Sequence, residues 1–409
     1  MAAVQDDVFN PWWAEPGVLH RVICDLIHAE LTTLRRRALP HSLPWPASLN
    51  LVSDLGVDSL ELMSLATSLS EMLHLHEAGI EDYLLAKQDL DHWASVAFTG
   101  LQQFSATLTF RTSGSSGTPK SCTHQTAWMW QEANFLGHLL AGRRRILSAV
   151  PSHHIYGFLF TVLLPQTLHI NPLPVVDLRT SSPGALAHLA QPGDLIIGHP
   201  DYWRNVTRLT RALPADIIGV TSGAPCPDEL ARDVVRAGLA RLIQIFGSSE
   251  TGGMGWRDDA ALPYTCFPYW QKQDDHMSLS RTLPDNTRSP FPLQDRLSWS
   301  DAQHFLPAGR LDQQVQVGGI NVSPARAAQV LKQHPDVQDA CVRLMRHDEG
   351  NRLKAFVVPR RSDMDQQMLA ETLSDWVREQ LSTPERPAAF TFGTQLPRQE
   401  NGKLSDWII

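Results

Sequence analysis

The most informative part of this chain is Thr112-Ser-Gly-Ser-Ser-Gly-Thr-Pro-Lys120, which directly follows the strand-like residues 106–111. Its glycines would let the backbone approach a phosphate closely, while its hydroxyl groups and its lysine would add donors and positive charge. A Walker A loop ends in Gly-Lys-Ser/Thr, and this stretch does not. The pattern therefore predicts a phosphate-binding loop of another kind, with a flexible Ser/Gly linker as the alternative.

Composition and charge limit the classes of protein to which the chain can belong. The 409 residues are 43% hydrophobic and 19% charged, as in a globular protein of several domains. The net charge of -8 argues against a nucleic-acid partner. The cysteines lack metal-ligand spacing, and no apolar run reaches the roughly 20 residues that span a bilayer. We therefore expect a cytoplasmic protein with reduced thiols and no membrane span.

Hydrophobic periodicity divides the chain into three regions. Apolar residues at helical spacing predict helices within residues 1–98, including one from Val18 to Arg37 and one that begins at Ser59. Residues 99–310 alternate apolar β-rich runs with helical runs, which predicts a wound α/β sheet. Residues 311–409 mix short strands with helices, so we expect a smaller α+β domain there.

Further motifs follow the glycine-rich stretch along the chain. They are Thr221-Ser-Gly-Ala-Pro225, Ile245-Phe-Gly-Ser-Ser-Glu-Thr-Gly-Gly253, Gly309-Arg-Leu-Asp312 and Leu396-Pro-Arg-Gln-Glu-Asn-Gly-Lys-Leu404. Each motif alone is compatible with an ordinary turn or loop. Together with Thr112–Lys120, and in this order, they resemble the adenylate-forming superfamily, which includes acyl-CoA synthetases, aryl-acid ligases and peptide-synthetase adenylation domains.

The resemblance implies an enzyme that uses ATP and Mg²⁺ to activate a carboxylic acid as an acyl-adenylate, and then transfers the acyl group to a thiol. Lys403 would bridge the carboxylate and the α-phosphate, Ser249 would hydrogen-bond that phosphate, and Glu250 would help to hold Mg²⁺. The residues implied for nucleotide binding are Thr112, Ser113, Gly114, Ser115, Ser116, Gly117, Thr118, Lys120, Ser222, Gly223, Ala224, Phe246, Gly247, Asp295 and Arg310.

Two aspartates are assigned by their position around Arg310. Asp295 precedes Arg310 by the spacing of the aspartate that binds both ribose hydroxyls in the family, and Asp301 is the alternative. Asp312 corresponds to the hinge about which the mobile C-terminal domain would rotate between the two steps. A non-catalytic scaffold that keeps these motifs is the alternative to an enzyme.

The segment His153-His-Ile-Tyr-Gly157 resembles the part of the family that lines the acyl pocket. His154, Tyr156 and Gly157 would contact the acid, together with Ser222 and Gly247, although buried or surface histidines are also common without such a role. No aspartate lies between residues 151 and 162 to pair an amino group, which disfavours amino acids. Residues 315–324 are similar to benzoate-type ligases of aryl-polyene pigment pathways. We therefore favour an aromatic acid such as 4-hydroxybenzoate, with a fatty acid as the alternative.

The N-terminal motif Leu55-Gly-Val-Asp-Ser-Leu60 resembles acyl or peptidyl carrier domains. In that family the serine, here Ser59, carries phosphopantetheine; the alternative is a plain helix cap by Asp58. The acceptor thiol would then be this arm, a separate acyl carrier protein or CoA.

The predicted fold class is α/β, with a carrier-like all-α bundle over 1–98, a truncated adenylation core over 99–310 and a mobile α+β domain over 311–409. The core lacks the subdomain that normally precedes the phosphate loop, and residues between Glu250 and Asp295 are few for the usual β-barrel. A homodimer or the N-terminal helices would then have to complete the acyl pocket.

Overall fold

The computed structural model describes residues 11–35, 37–112, 120–169, 175–210, 212–274, 277–311, 314–346, 348–361, 364–397 and 406–407. The helices are α1 (Val18–Arg35), α2 (Ser59–Leu73), α3 (Leu90–Gln103), α4 (Thr126–Leu139), α5 (Ile155–Phe158), α6 (Leu164–Thr167), α7 (Leu186–Leu189), α8 (Pro200–Leu209), α9 (Asp228–Arg236), α10 (Pro324–Lys332) and α11 (Gln366–Gln380). A π-helical turn, Leu159–Leu163, joins α5 to α6.

The strands are β1 (Thr107–Thr112), β2 (Lys120–Gln125), β3 (Arg145–Ser148), β4 (Val176–Asp177), β5 (Asp194–Gly198), β6 (Ile218–Thr221), β7 (Arg241–Ser248), β8 (Gly252–Arg257), β9 (Tyr264–Cys266), β10 (Trp270–Lys272), β11 (Ser278–Thr282), β12 (Arg288–Pro292), β13 (Asp295–Trp299), β14 (His304–Arg310), β15 (Val315–Val317), β16 (Ile320–Val322), β17 (Val337–Leu344), β18 (Leu353–Pro359) and β19 (Pro387–Phe392).

The N-terminal helices begin and end close to the predicted positions. Helix α2 begins at Ser59 because the Asp58 carboxylate accepts hydrogen bonds from the backbone N–H groups of Leu60 and Glu61. The Glu61 carboxylate accepts from the backbone N–H of Asp58 and also pairs with Arg35 at the end of α1. The structure thus gives Asp58 the ordinary capping role that the sequence left open, and Ser59 is exposed at the first turn.

The central feature is one sheet which, within the described residues, has nine strands in the order β13-β14-β9-β8-β7-β6-β5-β3-β4. Strands β4, β3, β5, β6 and β7 run parallel, and β8 and β9 continue the sheet antiparallel. Every residue of β5 and β6 is buried, as in parallel strands covered by helices on both faces. The predicted wound α/β sheet is confirmed.

The described residues divide into two compact units. The first contains the described residues through Thr112 and those within Ser121–Pro292 and Ser298–Leu306. It therefore includes α1, α2 and α3, and differs from the predicted division at residue 98. The physical reason is shared burial: the ring of Trp12 packs edge-to-face on Phe158, with ring centroids 5.0 Å apart, and Arg21 in α1 donates to Thr161.

The second unit contains Lys120, Leu293–Leu297 and the described residues from Pro307 onward. Strand β17 pairs antiparallel with β18, and β19 pairs parallel on the other side of β18. Helices α10 and α11 bury Leu331 and Leu373 in the same apolar core as these strands. The predicted small α+β domain is confirmed.

Smaller features complete the description. The region between Glu250 and Asp295 contributes the three-stranded antiparallel sheet β10-β11-β12. The five cysteines are all buried. Among the described helices, none combines the length and the apolar character that crossing a bilayer requires.

Candidate active site

The carboxyl ends of parallel strands form the edge at which several predicted site residues meet. Ser222 directly follows β6, and its hydroxyl donates to the backbone carbonyl of Ile245 in the neighbouring strand β7, at 3.0 Å. Gly247 lies near the end of β7, where an added Cβ would come within 2.2 Å of the Gly252 carbonyl oxygen. Ligands of wound α/β sheets bind at this edge. The structure therefore brings the motifs at residues 221–225 and 245–253 together, although they are about 20 residues apart in the sequence.

The turn after β7 carries Ser249 and Glu250. Its shape is held locally, because Ser248 and Thr251 exchange hydrogen bonds between hydroxyl and backbone N–H groups at 3.3 Å. The buried ring of His124 donates from Nε2 to the Ser249 carbonyl at 2.7 Å, and burial lowers the pKa of this histidine. A neutral histidine thus fixes the backbone of the turn, and sequence patterns did not single it out.

The acyl-pocket motif lies at the same edge, after β3. The Tyr156 hydroxyl donates to the carbonyl of Gly198 at the end of β5, at 2.9 Å. Close packing explains why residue 157 is a glycine, since an added Cβ would lie 1.8 Å from the carbonyl oxygen of Pro151. His154 is exposed, whereas His153 is buried, and its Nδ1 has no hydrogen-bond partner among the described residues. Burial lowers the pKa of His153 well below its usual value, so its ring is neutral.

A buried aspartate on α1, which sequence reasoning missed, contacts this segment. Asp25 Oδ2 accepts from the backbone N–H of Ser152 at 2.7 Å and from its hydroxyl at 2.6 Å. Asp25 Oδ1 accepts from Arg179 at 2.6 Å. The one signal in sequence is an acidic residue inside the apolar run Val22-Ile-Cys-Asp-Leu-Ile27.

A second buried acidic side chain contacts the backbone just after the turn that follows β7. Glu132 on α4 is 2% exposed, and its Oε1 accepts from the backbone N–H of Gly253, just beyond the Ser249–Glu250 turn, at 2.9 Å. Burial raises the pKa of Glu132 to about 7, although the nearby Arg281 acts in the opposite direction. Arg281 is itself buried, donates to Gln131 and lies over the Tyr269 ring.

The raised pKa of Glu132 predicts how stability depends on pH. The unfolded state ionises near the ordinary glutamate value, so the buried carboxyl group favours the fold at low pH and loses this contribution as pH rises through about 7. Glu132→Gln keeps the acceptor for Gly253 but cannot ionise. We expect the free energy of unfolding of the wild type, relative to Glu132→Gln, to fall by about 2 kcal/mol between pH 5 and pH 8. Urea unfolding of both proteins measures this difference, and a constant difference would contradict the prediction.

Two predicted ribose residues lie together in the second unit. Arg310 Nη1, at the end of β14, is 4.0 Å from Asp295 Oδ2, at the start of β13, and both side chains are largely buried. The alternative, Asp301, is exposed. Its carboxylate accepts hydrogen bonds from the ring and from the backbone N–H of His304, three residues later in the same turn. Asp295 lies beside Arg310, and it therefore stays the predicted ribose ligand.

Residues 406–407 are anchored in the second unit by buried charge. Lys354 is fully buried; its ammonium donates to Glu349 at 2.6 Å and to the carbonyl of Trp407. The hydrogen bond from Lys354 lowers the pKa of Glu349 to about 2. Arg343 pairs with Asp406 and lies over the Trp407 ring, 5.2 Å from its centroid. These two anchored residues follow Lys403 in sequence by three and four positions.

Removing the aromatic anchor should loosen this end of the chain. Trp407 is 8% exposed and packs edge-to-face on Phe356. We expect Trp407→Ala to lower the free energy of unfolding by about 3 kcal/mol, since truncating a buried aromatic ring loses its burial and leaves a cavity. Trp407→Phe retains a ring and serves as the matched control, with a loss of about 1 kcal/mol. Equal losses for the two variants in urea unfolding would contradict this role of the indole.

A cavity of about 920 Å³ opens elsewhere in the first unit, near β9, β10 and residues 299–303. Its wall mixes aromatic side chains, including Trp256, Trp270 and Trp299, with polar ones, and the Lys272 ammonium lies 5.7 Å from the centroid of Trp299. The predicted catalytic and nucleotide-binding residues do not line it.

Part of the predicted site lies outside the described residues. For Thr112 the structure describes the backbone, at the end of β1, and Lys120 begins β2. Ala224 follows Ser222 after β6, and Phe246 is half-buried in β7, near Tyr264 and Phe305. The predicted residues outside the described part are Ser113, Gly114, Ser115, Ser116, Gly117, Thr118, Asp312 and Lys403.

Comparisons with known proteins bear on this arrangement. The AMP-binding enzyme family matches residues 57–280, and the AMP-binding enzyme C-terminal domain matches residues 328–403. The 4-coumarate–CoA ligase of Cereibacter sphaeroides is 38% identical over 91% of this chain and 88% of its own, and that of Halorhodospira halophila is 37% identical over 94% and 97%. The structure of o-succinylbenzoate CoA synthetase from Bacillus subtilis, 16% identical, superposes with a TM-score of 0.61 over 95% of this chain and 91% of its own, which shows a common fold.

Proposed function

We propose a substrate and an acceptor for this chain from the premise that it belongs to the AMP-binding enzyme family and is an AMP-forming acid–thiol ligase. It therefore uses ATP to activate a carboxylic acid, and it is not the non-catalytic scaffold that the sequence had left as an alternative. The proposed acid is a hydroxylated aromatic acid of the 4-coumarate type, and the proposed acceptor is CoA. The observation that carries the proposal is identity of 37–38% to two 4-coumarate–CoA ligases over nearly the whole of each chain.

The charges around the acyl segment support an acid without an amino group. A buried ammonium needs a carboxylate partner, because an unpaired charge is costly to bury. The buried carboxylate that the described residues place beside this segment is Asp25, and Arg179 and Ser152 already occupy both of its oxygens. The proposed 4-coumarate keeps the aromatic ring and hydroxyl of 4-hydroxybenzoate, which the sequence favoured, and adds a –CH=CH– unit between the ring and the carboxylate.

The proposed roles of the site residues follow from their chemistry. Ser249 donates to the α-phosphate that the acid attacks, and Lys403 supplies an ammonium where negative charge builds up between carboxylate and phosphate. Ser222, Gly247, His154, Tyr156 and Gly157 bound the acid. The backbone N–H groups and hydroxyls of residues 112–120 hold the departing pyrophosphate. Asp312 is the proposed hinge between the adenylation and thioester steps.

Mg²⁺ is the implied metal, and the donor set of the turn after β7 fits it. Glu250, with the hydroxyl of Ser249 beside it in sequence, offers oxygen ligands of the kind that a hard cation prefers, whereas the buried Thr251 hydroxyl is used within the turn. Glu250 is the residue that would hold the ion. When bound, Mg²⁺ would neutralise phosphate charge.

The acceptor is the second part of the proposal. Ser59 is exposed at the start of α2, so a phosphopantetheine arm on this serine is a competing acceptor, and a separate carrier protein is another. The capping box formed by Asp58 and Glu61 explains the local sequence without such an arm. The two relatives named as CoA ligases favour CoA.

One experiment tests both parts. Acid-dependent exchange of pyrophosphate into ATP is measured with 4-coumarate, 4-hydroxybenzoate, a medium-chain fatty acid and an aromatic amino acid. The product is then identified with CoA as acceptor, and the intact mass of the protein is recorded after incubation with CoA and a phosphopantetheinyl transferase. We expect fastest exchange with 4-coumarate, formation of its CoA thioester and an unchanged protein mass. Selective exchange with the fatty acid would contradict the substrate, and a mass gain lost in Ser59→Ala would contradict the acceptor.

A further inference from the structure

Helix α1 contacts the acyl segment on both sides of the motif His153–Gly157. Before the motif, Asp25 accepts from the backbone N–H and the hydroxyl of Ser152. After the motif, Arg21, one helical turn earlier on α1, donates to the hydroxyl of Thr161 at 3.0 Å and to its carbonyl at 2.7 Å. One helix therefore fixes both flanks of the segment that bounds the acid.

Several fixed partners hold the Asp25 side chain in its contact with Ser152. Its side chain is 2% exposed, and its second oxygen accepts from Arg179. Arg179 is oriented in turn by Asp177, whose carboxylate accepts from its Nε at 2.9 Å. A charge-assisted network with several fixed partners holds its geometry better than a single contact between neutral groups. The carboxylate can therefore set the position of the Ser152 backbone.

The segment held in this way contains a buried nitrogen atom that makes no hydrogen bond to the described protein groups. Nδ1 of His153, the residue after Ser152, is buried and has no partner among the described residues. Buried polar atoms normally have a hydrogen-bond partner, so this atom is suited to a polar group of a bound ligand. The position of this ring depends on the backbone that Asp25 holds.

We propose that α1 is a positioning element of the acid-binding site, in which Asp25 is the principal positioning residue and Arg21 acts with it on the other flank. Asp25 touches neither substrate nor nucleotide in this role; it acts through Ser152. The inference rests on one part of the proposed function, namely that residues 153–157 form part of the wall of the acid-binding site. It also supplies support for the shortened core from the N-terminal helices of the same chain, one of the two possibilities that the sequence had left open.

The test compares two buried aspartates that have the same kind of partners at opposite edges of the sheet. Asp194 is also 2% exposed, and it accepts from Arg145 at 2.7 Å and from the backbone N–H of Gln191 at 2.7 Å. It lies at the amino end of β5, away from the carboxyl edge. Asp194→Asn is therefore the matched control for Asp25→Asn. The full-length enzyme is assayed for KM of the acid, KM of ATP, kcat and thermal unfolding.

We expect Asp25→Asn to raise KM for the acid by about tenfold or more and to leave KM for ATP within about twofold, because misplaced binding groups act on the ligand they contact. Ser152→Ala removes only the hydroxyl contact and should raise KM for the acid by about fivefold, the loss of one hydrogen bond. The double variant should show less than the product of the two single effects, since both act through one contact. Asp194→Asn should lower thermal stability without changing KM for the acid.

Two outcomes would overturn the inference. One is unchanged KM for the acid in Asp25→Asn and Ser152→Ala; the other is an equal rise in Asp194→Asn. If Asp25→Asn does not fold, Ser152→Ala decides the question, because it keeps the peptide N–H bond to Asp25. The comparison uses whichever acid the wild type activates. Failure of the 4-coumarate assignment therefore leaves the positioning role testable, and failure of the positioning role leaves the substrate assignment unchanged.

Discussion

Lys403→Ala is expected to slow acid-dependent pyrophosphate exchange by about 10²- to 10³-fold, the usual effect of removing a charged group that stabilises a transition state. The family's C-terminal domain matches through residue 403, and the motif Pro397-Arg-Gln-Glu-Asn-Gly-Lys403 is complete. A lysine ammonium placed between carboxylate and α-phosphate acts on adenylation only. We therefore expect thioester formation from a supplied acyl-adenylate to keep nearly the wild-type rate.

The matched control is Lys332→Ala in the same unit. Lys332 is half-exposed at the end of α10 and pairs with Asp339 at 2.6 Å, so its loss removes a lysine without touching the proposed chemistry. Pyrophosphate exchange at wild-type rate in Lys403→Ala would refute the assigned role. A comparable loss in Lys332→Ala would show that the effect is not specific to Lys403.

Glu250→Gln is expected to lower the same exchange rate by about 10²-fold at fixed Mg²⁺, and to raise the Mg²⁺ concentration needed for half-maximal rate. The amide keeps the size of the side chain but removes the negative charge that would hold the ion. A magnesium titration of the exchange reaction measures both effects.

Glu229→Gln, on the exposed first turn of α9, is the control for loss of one negative charge from the same unit. It should leave the magnesium titration unchanged. If Glu250→Gln shifts the rate but not the magnesium dependence, Glu250 supports the turn and does not hold the metal.

Local sequence predicted the elements of this fold well, because their cause is local. The helix predicted to begin at Ser59 is α2 (Ser59–Leu73), and the apolar runs predicted as strands within residues 99–310 include β6 (Ile218–Thr221). Buried apolar runs make parallel strands, and a capping aspartate with a glutamate three residues later starts a helix. These signals need no knowledge of the distant parts of the chain.

The boundary predicted at residue 98 shows where local signals are insufficient. The Asp58-Ser59 pattern resembles a carrier domain, yet the structure places α1, α2 and α3 in the unit that contains the sheet. Periodicity indicates that a helix has an apolar face but does not identify what covers that face. Here Trp12 and Arg21 find their partners at Phe158 and Thr161.

The sequence by itself determined the class of reaction, because the motifs at residues 112–120, 245–253, 309–312 and 396–404 follow one another in the order of an acid-activating enzyme. Residue type and order carry that information, because each motif is contiguous in the chain. Only the tertiary structure decided what supports the site. Asp25 meets Ser152 across 127 positions, and Glu132 meets Gly253 across 121. Such pairs form because a buried carboxylate must find donors wherever the fold brings them, and no local pattern specifies which donors those are.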